Sequence, residues 1–152
     1  MDQAEFHRLA EPVLRRTAAA DAEHGLGLVY GRTATAAEIA AVERAMGVVL
    51  PEQYKAFMTQ YGGGIFGFLE LFPVVARPHE YRDNLRTVND AEFPDRTFVA
   101  VAVVGTGDHW GFPVTGGRCH DQVWFHFHDD ANHEPVAGDF LEFVARHGMR
   151  SA

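Results

Sequence analysis

The spacing of apolar residues changes period once along this chain, and that change sets the class of fold. Between Thr35 and Tyr61 apolar residues recur three and four apart, whereas after Gly62 they run in short strand-like stretches separated by turn residues. Thr35 followed by Glu38 is a capping box, Ile39, Val42 and Met46 share one face, and Gly47 is a stop, so the spacing predicts a helix over about Ala36 to Met46. Pro51 suits the first turn of a second helix, on which Leu50, Tyr54, Phe57, Met58 and Tyr61 form an apolar stripe that Gly62 ends. Beyond it, IFGFLELF from Ile65 is rich in strand formers, and RTFVAVAVV from Arg96 reads as a strand buried on both faces. A short helix carrying Tyr81, Leu85 and Val88 is expected between them, after Pro78. GTGD, WGFPV, TGGRCHD and QVWFHFH alternate turn chemistry with strand-like runs, as an antiparallel meander does, and His133 to Val136 adds a last short strand. Asp139 and Glu142 then open a helix whose Phe140, Phe143 and Val144 dock it on the core.

Helices, then strands, then a helix give the α+β class: one domain, with an N-terminal helical pair and a C-terminal helix packed on a mostly antiparallel sheet of about four to six strands. At the N-terminus Phe6, Leu9, Val13 and Leu14 stand at helical spacing around Pro12, which predicts a short or broken helix, and 25–35 reads as a connector. Residues 1–34 are thus a helix and connector belonging to the same domain as 35–148. The chain has one cysteine, Cys119, which rules out an intrachain disulfide and a zinc site built on several thiolates. A net charge of −8 with scattered Lys and Arg gives no nucleic-acid footprint. The first residues lack a signal-peptide pattern, and no stretch has the length of a membrane span, so the expected location is the cytoplasm.

The run EIAAVERAMGVVLPEQYKAFMTQYGGG resembles the opening motif of the SUKH superfamily. Glu43, Gly47, Leu50, Pro51, Tyr54, Phe57, Gly62 and Gly63 fall on that pattern, while Tyr61 stands where the family most often has Asn. The resemblance extends more loosely over about 35–148 and implies a compact α+β domain. It is found among bacterial immunity proteins that neutralise polymorphic toxins and among eukaryotic regulators of cell-wall assembly, proteins that act by binding. The matched residues read as fold-makers, because an apolar stripe at helical spacing is ordinarily core.

Chemistry-bearing residues fall into two groups. Trp124, His126 and His128 share one side of a strand, so two imidazoles with Asp130 or His133 are candidate metal ligands; the reading favoured by the alternation puts Val123, Phe125 and Phe127 on the core and the histidines in solvent. Cys119 beside His120 lacks a base placed by the sequence, since neighbours on an extended chain point apart. The glycines of GGGIFGF follow a helix rather than opening one, which suits a cap and turn and not a phosphate cradle. The second group is acidic: Asp83, Asp90, Glu92 and Asp95 after the middle helix, and Asp121, Asp129, Asp130 and Glu134 flanking the last strands. Carboxylates on loops held by a rigid sheet suit a basic protein partner, with Trp110, Tyr81 and Trp124 as candidate anchors. The expected function is therefore binding of another protein, with a basic toxin domain as the candidate partner, by a chain that is not an enzyme and needs no cofactor; a regulatory interaction module and a His-based metal protein are the alternatives.

Overall fold

The computed structural model, which describes residues 1–77, 83–129 and 133–149, opens on a longer helix than Pro12 predicts. α1 runs unbroken over Gln3–His24. Arg8 and Pro12 are both exposed, so the carbonyl that loses its helical donor at the proline faces water and not a buried void. On its other side α1 buries Phe6, Ala10 and Val13. Phe6 sits edge-on to Phe57 at 5.8 Å and to Tyr61 at 5.4 Å, so α1 packs into the main core.

α2 spans Ala36–Met46 with both halves of the Thr35/Glu38 capping box made, and Gly47 closes it in the left-handed conformation at φ 70°. α3 spans Glu52–Gln60 with Pro51 at its N-cap. Glu43 explains its place in the motif: its Oε2 accepts from the Leu50 N–H at 2.8 Å and lies 3.4 Å from Lys55 Nζ, clamping the turn between the two helices. Tyr61, the departure from the motif, lies on Phe6 and pairs its hydroxyl with His7 Nδ1 at 2.9 Å, so α1 takes up the change.

The segment rich in strand formers from Ile65 folds as a hairpin, β1 (Gly64–Phe66) and β2 (Leu69–Leu71), because Gly67 turns the chain at φ 59°. The middle helix, α4, occupies Leu85–Glu92 and starts at an Asn84/Thr87 capping box; Pro78 and Tyr81 lie outside the described residues. β3 (Phe98–Val103) is buried on both faces as expected, and β4 (His109–Thr115) follows the Gly105–Asp108 turn. β5 (Arg118–Cys119), β6 (Val123–His126) and β7 (His133–Ala137) complete an antiparallel sheet of seven strands among the described residues, in the order β1-β2-β3-β4-β6-β7 with the two-residue β5 beside β4. The C-terminal helix is one α turn, α5 (Phe140–Phe143), continued by a π turn over Val144–Gly148.

The sheet separates two apolar layers. One face, with Val99, Val101, Phe112 and Val123, meets α1, α3 and α5 in the main core, where Phe140 stands perpendicular to Tyr54 at 5.1 Å. The other carries Phe98 and Ala100, and on it α4 lays Phe93 and Val88 beside Phe72 and Trp124. α4 is fixed to this second face by a buried polar contact: the Asn89 side chain takes both backbone groups of Ala100, accepting from its N–H at 2.7 Å and donating to its carbonyl at 2.9 Å.

Candidate functional site

The second face is where the sheet meets α4, which carries Asp90 and Glu92 and follows Asp83. Alternation along β4 sends Phe112 into the main core and turns His109 the other way, under α4. His109 is opposite His126 on β6, and His126 is opposite His133 on β7, so three imidazoles form a row across three strands. The row runs from buried His109 through half-buried His126 to exposed His133, so His126 is less open than the alternation of QVWFHFH suggests, while His128 is exposed as expected. Phe93, carried over the face by the end of α4, packs edge-on to His126 at 4.9 Å, and Phe98 lies 5.2 Å from the same ring. Phe125 and Phe127 are only half-buried.

Nor do the three histidines of the candidate metal set converge. His126 and His133 stack nearly parallel with centroids 6.1 Å apart, while His128 leaves the strand, which ends at His126, and turns to Asp108. Among the described residues no group of three His, Cys, Asp or Glu side chains is placed to hold a metal ion, and Asp130 lies outside them.

Asp108 holds the two loops at this end of the sheet together. Its Oδ1 accepts from the His128 backbone N–H at 2.9 Å and meets His128 Nδ1 at 2.6 Å, and Oδ2 accepts from the Thr106 hydroxyl at 2.7 Å. These donors, the His128 backbone first, draw the Asp108 carboxyl down to about 2, and the bond to Asp108 raises His128 above the ordinary imidazole value. The pair is half of a hydrolase-like arrangement, but His128 Nε2 faces the Asp129 carboxylate at 2.8 Å and not a nucleophile. Asp108 stabilises the fold above its unfolded value near ~3.9 and loses that contribution as pH falls towards about 2. His128 contributes fully below its unfolded value near ~6.5 and loses the contribution as pH rises through its raised folded value. The clamp is thus strongest between about pH 4 and 6.5. In an NMR titration we expect the His128 ring to titrate above the ordinary imidazole value and its midpoint to fall in Asp108→Asn; an unmoved midpoint would refute the clamp.

The expected acidic residues are not equivalent. Asp90 is ion-paired with Arg96 and lies 3.5 Å from Arg86, while Asp95 accepts from the Thr97 N–H and hydroxyl, so both hold the α4–β3 connection. Arg96, at a left-handed φ of 57°, also donates to the Met46, Asn89 and Phe93 carbonyls. Asp129 is exposed beside His128, Asp121 is exposed before β6, and Glu134 lies on β7 itself rather than in a loop, across from Phe125. Asp83 and Glu92 are exposed and line one cleft with Phe72, Val88, Val103 and His109, a cavity of about 230 Å³. Burial lowers the His109 imidazole; Glu92 and Asp108 pull the other way, and His126 and His128 add to the lowering. His109 was missed from sequence, although the alternation that places Phe112 in the core also turns His109 away from it. Of the candidate anchors, Trp110 is engaged with Phe143 at 5.5 Å, and Tyr81 lies outside the described residues. Trp124 packs 5.2 Å from His133, and its indole N–H is buried with no partner among the described residues.

A larger hollow of about 650 Å³ lies between Pro51 and the β5 region. Its Cys119 is buried, and burial pushes the thiol up to about 12, so the thiolate a nucleophile needs is not populated near neutral pH. His120 is tied to the Thr115 hydroxyl at 2.7 Å.

A family model of the SMI1 / KNR4 family (SUKH-1) matches residues 33–146. The chain belongs to this family. The SUKH-1 match begins after α1, yet α1 supplies Phe6 to the same core as the motif residues Tyr54 and Phe57. No curated protein matches the chain. The SUKH-1 motif residues lie in the core, the caps and the inter-helix turn, whereas the α4 face is built from residues outside that motif, from Phe72 to His133. Among the described residues no helix is long and apolar enough to cross a membrane.

Proposed function

We propose that this SUKH-1 chain is a cytoplasmic immunity protein that neutralises a polymorphic toxin by binding it one to one, with the acidic α4 face as its docking surface and no catalytic step of its own. Family membership supports binding to another protein. The observation that carries the choice of face is the set of exposed carboxylates, Asp83, Glu92 and Asp129, beside half-buried Trp124 and His126, in a chain of net charge −8; Glu134, across from Phe125, points to the other side of the sheet. Carboxylates around an aromatic centre suit a basic partner, which such a field attracts at long range and orients before contact.

Tagged protein is used to capture partners from its native host, and a basic toxin domain retained at one to one is the expected result. Replacing Asp83, Glu92 and Asp129 by their amides, leaving Asp90 and Asp95 to hold the fold, should then weaken the complex by roughly 10- to 100-fold at low salt and flatten its salt dependence. Unchanged affinity and salt slope would move the interface elsewhere.

A further inference from the structure

The cleft under α4 combines three features that the binding of a basic surface in general does not require. Asp83 and Glu92 stand exposed at its edge with no ion-pair partner among the described residues, in a region where Asp90 and Asp129 each have one and Asp95 is hydrogen-bonded to Thr97. His109 lines the cleft, is only 7% exposed, and makes no hydrogen bond among the described residues, although a buried imidazole ordinarily has a partner. Phe72, Val88 and Val103 supply apolar wall. The cavity of about 230 Å³ has the size of one long side chain rather than of a cofactor.

We propose that this cleft is the receptor for a single arginine side chain presented by the protein partner, with the guanidinium held by Asp83 and Glu92, a donor shared with the lone pair of His109, and the aliphatic stem on Phe72, Val88 and Val103. The inference rests on the partner being a basic protein, and it names the group that anchors it. A guanidinium fits better than an ammonium for two reasons. Its planar fork offers five donors to several acceptors at once, and it gives up hydration more readily on entering a cleft with apolar walls. His109 is suited to accept because its burial beside Phe72 and Phe93 disfavours the charged ring, leaving one nitrogen with a free lone pair.

The test uses the whole folded chain and n-butylguanidinium as probe, followed by NMR of the His109 ring and the α4 amides, with n-butylammonium and n-butanol as comparison arms. We expect saturable shifts at millimolar concentration centred on His109, several-fold weaker binding of the ammonium, and none of the alcohol. The double variant Asp83→Asn with Glu92→Gln, both exposed positions, should weaken the guanidinium by about 10-fold or more. Shifts that never saturate, that spread over the carboxylates of the whole surface, or that persist in the double variant overturn the receptor. The two readings fail separately. A guanidinium that seats on a chain for which no basic protein is captured leaves the receptor standing and removes the immunity reading. A captured toxin whose affinity ignores the double variant removes the receptor alone.

Discussion

Replacing Gly62 by Ala should abolish a cooperatively folded native state, or lower stability by more than about 4 kcal/mol, which is much of what a domain this size has. Two independent costs combine there. Gly62 sits at φ 84°, where a side chain is strained, and a Cβ would fall on the Arg32 carbonyl carbon and 2.5 Å from Thr33 N. Neither neighbour has room to move, because the connector is bonded to this turn in both directions: Arg32 N–H donates to the Gly63 carbonyl at 3.1 Å, and Gly63 N–H donates to the Arg32 carbonyl at 3.0 Å. Gly63→Ala separates the terms, since Gly63 does not need the left-handed region but its Cβ would lie 2.5 Å from Pro73 Cα. In urea the midpoint of either variant should fall by roughly 2 M or the transition should lose its cooperativity. A Gly62→Ala protein unfolding within about 0.5 M of the wild type would show that the connector is not clamped against the motif turn.

That clamp also marks how far the sequence could be read. Local signals were legible because their partners are near in the chain: the Thr35–Glu38 box, the Gly47 stop, the Pro51 start and the Asp139 cap bond within a few residues of themselves. The unbroken apolar run at β3 was legible too, since burial on both faces leaves no polar alternation. What failed depends on distant partners or on exposure. Pro12 reads as a break unless its exposure is known, and Gly67 was submerged in a strand-like run that it divides. His126 on β6 reads as solvent-facing because the strand carries no sign that Phe93, some thirty residues earlier, will pack on it. For the candidate site, Asp83 and Glu92 were chosen by type alone together with Asp90 and Asp95. Only the fold shows that the second pair is engaged in holding α4 while the first lines a cleft beside His109.

Asn89→Ala should cost about 2–5 kcal/mol although it removes a small side chain, because it leaves two buried backbone groups of Ala100 without partners. β3 meets β2 only at Leu71 opposite Ala102, so Ala100 has no strand on that side, and the fully buried Asn89 amide takes the place of one. The same amide donates to the Leu85 carbonyl at 2.8 Å, which fixes its orientation. Loss of these bonds should loosen α4 and with it the face that carries Asp83, Glu92 and Phe93. Asn89→Asp is the sharper probe. Its carboxylate can still accept from the Ala100 N–H, but as an anion it sets negative oxygen against the Ala100 and Leu85 carbonyls, so only the protonated form restores a donor. The folded state must then raise that carboxyl, and the variant's deficit relative to wild type should be smallest below the unfolded value near ~3.9 and grow as pH rises through the folded one. Denaturant midpoints of both proteins across pH, with amide exchange at Ala100, give the answer: a deficit independent of pH, or an Ala100 amide as protected in Asn89→Ala as in wild type, would mean that packing by Phe93 and Val88 alone holds α4 on the sheet.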